Sequence, residues 1–219
     1  MHQSQYSRTY LKLNPTGHNH GTYEWTTSKA AGENSANAYY PNSEGIDRRH
    51  QFLYFVSKVK RRLVIVNLDN GTYRWESVNH RLFSGDGGQF EAEPDQVIFS
   101  LNEDNLFFTE DGGRTPGIYV RTPSGAYNTL VQAYHGMYVH DETVSLAFSP
   151  DGRRMYFGIQ EIGRIFEVTR IDGGSFHHLP YGRSLLRGSS SSLSSEGTGN
   201  ETSGPDLVMG LKFHTLPSI

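Results

Sequence analysis

The stretch Pro94–Gly113, "PDQVIFSLNEDNLFFTEDGG", reads as two short strands joined by a polar turn. "QVIFS" and "NLFFT" are dense in β-branched and aromatic residues, and each is too short for an ordinary helix. Asn, Glu and Asp separate the two runs, and Gly112-Gly113 ends the second. A third run, "GIYVRTPSGAY" at 117–127, follows with its own Pro-Ser-Gly turn. The direct reading is an antiparallel meander.

Working outward, the same unit recurs on both sides. "EGIDRRHQFLYFVSK…RLVIVNLDNGTY" precedes it over 44–73, and "ETVSLAFSPDGRRMYFGIQEIGRIFEVTRIDGG" follows over 142–174. Each unit has an acidic opening, a strand, a turn, an aromatic second strand, a longer turn and a third strand. This alignment puts Tyr54, Phe107 and Tyr156 at one place in their units, 53 and 49 residues apart. A period near 50 with several strands per unit is the pattern of β-propeller blades. One blade cannot bury both of its faces, so blades stack on neighbours.

The expected fold is therefore all-β, a β-propeller, and a partial one. Three units are visible, with part of a fourth in 8–40, whereas propellers close with about four to eight blades. The chain is then part of a longer ring, one of several chains completing a ring, or an unusually small closure; the first is favoured. Open blade faces at both ends predict self-association. Residues 1–41 read as a partial blade or an irregular N-terminal segment, with strand candidates at Tyr10–Leu13 and Thr22–Thr26. Residues 42–180 carry the blades. Residues 181–219 read as a Ser/Gly-rich flexible segment ("RSLLRGSSSSLSSEGTGNETSGPD") with a short C-terminal strand in "LVMGLKF". No stretch shows a sustained helical period with caps.

A net charge of −3 sets up no broad field toward nucleic acid or a membrane surface. The densest basic run, Lys58-Val59-Lys60-Arg61-Arg62, reads as a solvated turn at the foot of a strand. With no Cys among 219 residues, disulfides, thiolate metal sites and cysteine nucleophiles are excluded within the chain. No window is apolar enough to span a membrane, and the start "MHQSQYSRTYLKLNPTG" shows no secretory h-region. Serine-hydrolase, P-loop and dinucleotide motifs are missing. Asn70-Gly71-Thr72 and Asn200-Glu201-Thr202 fit the glycosylation sequon, which has weight only in a secreted protein.

In a propeller the first strand of each blade lines the central channel, and the starts of these strands face one mouth. Glu44, Asp95 and Glu142 stand there in the three units. Converging like charges repel unless a cation sits among them. Carboxylate oxygens suit calcium or magnesium, and calcium tolerates looser geometry. Glu110 and Asp111, ending the second strand of the middle unit, either reach the same mouth or only form a turn. Asp151 in "SPDGRR" reads as a turn former. His18, His20, His177 and His178 read as surface or packing residues, whereas His135 and His140, just before Glu142, are the best histidine candidates.

Three of these segments together resemble PhoX-type alkaline phosphatases and their relatives. They are "NSEGIDRRHQFLYFVS", "EPDQVIFSLNEDNLFFTEDGG" and "HDETVSLAFSPDGRRMYFGIQEIGRIFEVT", in the family's order, over about residues 42–170. The resemblance implies a β-propeller with an acidic channel holding calcium, and in the phosphatases also iron. It implies hydrolysis of phosphate monoesters on a phosphorylated small molecule, in an exported protein, extracellular or periplasmic. Carried over by position, Glu44, Asp95, Glu110 and Glu142 are the implied metal ligands, with Glu110 preferred to Asp111. The sequence departs from the family in three ways. The family's "PDN" is Pro94-Asp95-Gln96, the iron-ligating cysteine is absent, and the early family segments are missing. Two alternatives therefore stand beside a metal-dependent phosphatase: a non-catalytic calcium-binding propeller scaffold, and a hydrolase of the gluconolactonase type.

Overall fold

The computed structural model describes residues 7–79, 90, 92–101, 105–113, 116–132, 141–179 and 211–215. His135, His140, the sequon at Asn200 and the Ser/Gly-rich run lie outside them. The chain is mostly β-structure in three antiparallel sheets, none of them closed. The first sheet is a meander of β3 (Ser43–Arg49), β4 (Phe52–Ser57), β5 (Arg62–Asn67) and β6 (Thr72–Ser77). It is extended at β6 by β2 (His20–Thr26) and then β1 (Tyr10–Pro15). The second contains β7 (Glu93–Phe99), β8 (Leu106–Asp111), β9 (Gly117–Arg121) and β10 (Tyr127–Gln132). The third contains β11 (Thr143–Phe148), β12 (Arg154–Ile159), β13 (Arg164–Arg170) and β14 (Leu211–Thr215), the last beginning inside the expected "LVMGLKF" strand. Both N-terminal strand candidates are present as β1 and β2.

Alternation along the strands explains how the sheets stack. In β8, Leu106 and Phe108 pack toward the first sheet with Val56, Leu63 and Ile65. The intervening Phe107 packs toward the third with Met155, Phe157 and Phe166. The middle sheet is thus apolar on both faces, which is why its strands read as near-continuous hydrophobic runs.

The outer faces of the stack are not bare blade faces. On the first sheet, Phe55, Val64, Val66 and Tyr73 pack against Leu13 of β1 and Tyr40 at the end of helix α1 (Lys29–Tyr39). On the third, the outward residues include Arg154, Glu167, Lys212 and His214, with Arg154 and Glu167 3.9 Å apart. The outer face of the first sheet is thus covered by β1 and α1, whereas that of the third is open and mixes these charged residues with Ile165, 46% exposed.

Helix α1 departs from the sequence reading. Its fully buried positions are Gly32 and Ser35, with only Ala36 and Tyr39 half-buried beside them, so its apolar stripe is weak. Ser28 caps its N-terminus by accepting from the Ala31 N–H, Gly32 lets it lie directly on Tyr10, and the Ser35 hydroxyl accepts from the Leu13 N–H at 2.9 Å.

The three meanders share one irregularity. The first strand of each carries a β-bulge, with two residues opposite one on the second strand. The bulges fall between Ser43 and Ile46, between Pro94 and Val97, and between Val144 and Ala147. This register makes Glu44, Asp95 and Ser145 equivalent, and likewise Tyr54, Phe107 and Met155. The third unit is thus shifted from the sequence alignment: Met155, not Tyr156, matches Phe107, and Glu142 lies three residues before the position of Asp95. The hairpin between first and second strands is two residues longer in the middle unit than in the others, which is what misled an alignment on aromatics.

Candidate functional site

Lys58 and Asp111 occupy equivalent positions, each one residue past the partner of the bulge, in the first and second sheets. They carry opposite charge and form an ion pair across the gap between the sheets. Asp95, on the neighbouring bulge, lies 3.9 Å from the same ammonium. Glu142 enters from the third sheet: it bridges to Asp111 through the backbone, and its carboxyl is near enough to Asp95 and Asp111 to be shifted by both. Three carboxylates from β7, β8 and the start of β11 thus surround one lysine from the end of β4.

The expectation for the basic run fails at its first residue. The Lys58 side chain is only 13% exposed. Burial alone would pull its pKa down. The hydrogen bond and charge of Asp111, with the charges of Asp95 and Glu142, outweigh burial and hold it above the ordinary lysine value. Glu142 moves up to about 7, first because it is desolvated, then because of the neighbouring Asp95 and Asp111 carboxylates; Lys58 opposes this. Glu93, across the sheet from Asp111, adds a carboxylate to this end of the strands. So do Asp141, which accepts from the N–H groups of Glu142 and Glu161, and Glu161, which accepts from Glu142 N–H at 3.0 Å. The field here is strongly negative around one ammonium.

Glu110 is turned the other way. Successive strand residues point to opposite faces, so it and Asp111 cannot share a mouth. Fully buried, Glu110 accepts from the Ala92 N–H at 2.7 Å and from the Tyr119 hydroxyl at 2.9 Å. Its backbone N–H donates to the Thr143 hydroxyl at 2.8 Å, tying the second sheet to the third. Glu44 is half-buried on its own bulge, and no ion pair joins it to Lys58 among the described residues. His18 lies against Trp75 and His177 against Phe148, apart from the cluster. The structure therefore brings together Asp95, Asp111 and Glu142 and adds Lys58. The missed signal was the register: a Lys and an Asp at one equivalent position in adjacent units.

No group of three or more Asp, Glu or His side chains stands in metal-holding geometry among the described residues. The donors at the cluster are carboxylate oxygens, and the cation among them is the Lys58 ammonium. No helix among the described residues is long and apolar enough to cross a membrane.

The chain was compared with protein families and with curated proteins; no family model matches it, and no curated protein does so significantly. The resemblance to PhoX-type phosphatases rests on the three quoted segments alone.

The raised Glu142 pKa has a consequence for stability. In a pH window from the unperturbed value of 4.5 to about 7, the folded state binds more protons than the unfolded one, so stability falls as pH rises. Glu142→Gln is expected to flatten that decline and to be more stable than wild type above the window. Parallel urea titrations on either side of the window, without calcium, measure it. An unchanged slope would mean that Glu142 titrates normally.

Proposed function

We propose that the chain is a propeller-type binding module whose three meanders are blades, and whose mouth takes a divalent cation, calcium first, in exchange for the Lys58 ammonium. The observation that carries this is the convergence of Asp95 and Asp111 of the second sheet and Glu142 of the third on a single lysine of the first. The blade reading is supported by consecutive strand order in each four-stranded meander, by the adjacency of β3, β7 and β11, and by one bulge recurring at one place. Asp95, Asp111 and Glu142 would hold the ion, which would supply the positive charge that three desolvated carboxylates need.

Calcium is expected to raise the melting temperature of the wild type, because a ligand of the folded state alone stabilises it. Asp95→Asn and Asp111→Asn are each expected to remove most of that rise. Melting curves that ignore calcium in all three proteins would refute the exchange. A phosphoryl group carries the same sign of charge as the mouth, so hydrolysis is the second reading. What favours it is Glu142, near neutrality in pKa and beside an ammonium, the pairing of an acid-base site. Turnover of p-nitrophenyl phosphate that is lost in Glu142→Gln would support it; no turnover with calcium present leaves the binding module.

A further inference from the structure

We propose that Asn70 is a site of spontaneous deamidation, held by the folded hairpin in a geometry that promotes ring closure through Gly71. Asn70-Gly71 is the one Asn-Gly pair in the sequence, and Asn70 lies exposed in the turn between β5 and β6. Gly71 adopts φ +71°, and apart from its chain neighbours no heavy atom lies within 4 Å of where its Cβ would be, so this side of the turn is open to water and hydroxide. The decisive contacts are on the side-chain carbonyl. Asn70 Oδ1 accepts from the Thr72 N–H at 3.1 Å and from the Thr72 hydroxyl at 2.6 Å. Two donors on one carbonyl oxygen polarise Cγ and stabilise the negative charge that grows on Oδ1 when Cγ is attacked, as in an oxyanion hole.

The step balances with water alone. The Gly71 backbone nitrogen gives its proton to hydroxide and bonds to Cγ of Asn70. The Cγ–Nδ2 bond breaks, and Nδ2 takes a proton from water and leaves as ammonia. Water then opens the five-membered imide at either carbonyl, leaving aspartate or isoaspartate at position 70. The product sits where the N-terminal strands dock. β2 pairs with β6 only at His20–Arg74, Gly21–Tyr73 and Thr22–Thr72, and the Tyr23 N–H donates to the Gly71 carbonyl at 2.9 Å. An isoaspartate lengthens the main chain next to that bond and weakens the attachment of β1 and β2.

The test is incubation of the full chain in neutral to mildly alkaline buffer, with peptide mapping of aspartate and isoaspartate at every Asn. Wild type, Thr72→Val and Thr72→Ser are compared, folded and in urea. Position 70 is expected to react ahead of every other Asn, and faster in the folded protein than in urea. Thr72→Val should slow it by roughly three- to tenfold, the worth of one hydrogen bond, and Thr72→Ser should not. In urea the three proteins should react alike. Reaction at other asparagines first, or slower reaction in the folded wild type than in urea, would overturn the proposal, as would an equal folded-state rate in Thr72→Val.

Discussion

Gly45→Ala is expected to destabilise the protein by about 3 kcal/mol, a fall in melting temperature of roughly 6–12 °C. Gly45 sits in the bulge of β3, where the first sheet meets the second. A Cβ there would lie 2.4 Å from the backbone nitrogen of Val97, 2.6 Å from Cα of Gln96 and 2.8 Å from the carbonyl oxygen of Asp95. All three are main-chain atoms of β7, so no side-chain rotation relieves the clash, and the two first strands must separate. The same junction is pinned by Asp47, whose carboxylate accepts from the Phe99 N–H at 2.7 Å across the sheets. Separation also moves Asp95 away from the Lys58 ammonium of the first sheet. Thermal and urea unfolding of the variant measure the effect; a change within a few tenths of a kcal/mol would show that β3 and β7 do not meet this closely.

Glu76→Ala is expected to cost about 3–5 kcal/mol, because it leaves a buried guanidinium without its partner. Arg121 Nε and Nη2 each donate to a Glu76 carboxylate oxygen at 2.7 Å, and the Tyr127 hydroxyl donates to the same group at 2.9 Å. The pair clamps β6 of the first sheet to β9 of the second, and the Arg121 side chain is only 8% exposed. Joint replacement, Glu76→Leu with Arg121→Met, should recover much of the loss, since no charge is then stranded. The pair also sets a pH dependence. Burial works to raise the Glu76 pKa, but the hydrogen bond and charge of Arg121, helped by Arg74, lower it below the ordinary 4.5. A depressed carboxylate stabilises fully above its unfolded value and loses that contribution as pH falls through the folded one. Wild type should therefore weaken in acid over a range where the double variant does not.

How much of this was legible in the sequence follows from which signals are local. Strand runs such as "NLFFT" and "RLVIV" were plain because their apolar density follows from burial on both faces. The all-β class and the three-unit repeat came from the same signal. Helix α1 was hidden because its fully buried positions are Gly32 and Ser35 and only Ala36 and Tyr39 beside them are apolar, too weak a hydrophobic period to read. The site was half visible. Asp95 and Glu142, singled out by their place before the strands, do lie in one cluster, although the register shows them to be three residues out of step. Glu110 and Asp111 were ranked in the reverse of their placement at the cluster, since adjacent strand residues face apart and only the pairing says which way. Lys58 was read as solvent-exposed because its carboxylate partners are distant in sequence, and a charge run carries no record of them.

The most direct test of the account is a calorimetric calcium titration of wild type and Lys58→Met. If calcium takes the place of the ammonium, the wild type binds, and Lys58→Met binds tighter by roughly tenfold or more, since a competing charge has gone from among three carboxylates. No heat of binding in either protein would contradict the account: Asp95, Asp111, Glu142 and Lys58 would then be an internal ion-pair hub joining the three sheets, and the mouth would hold no exchangeable cation.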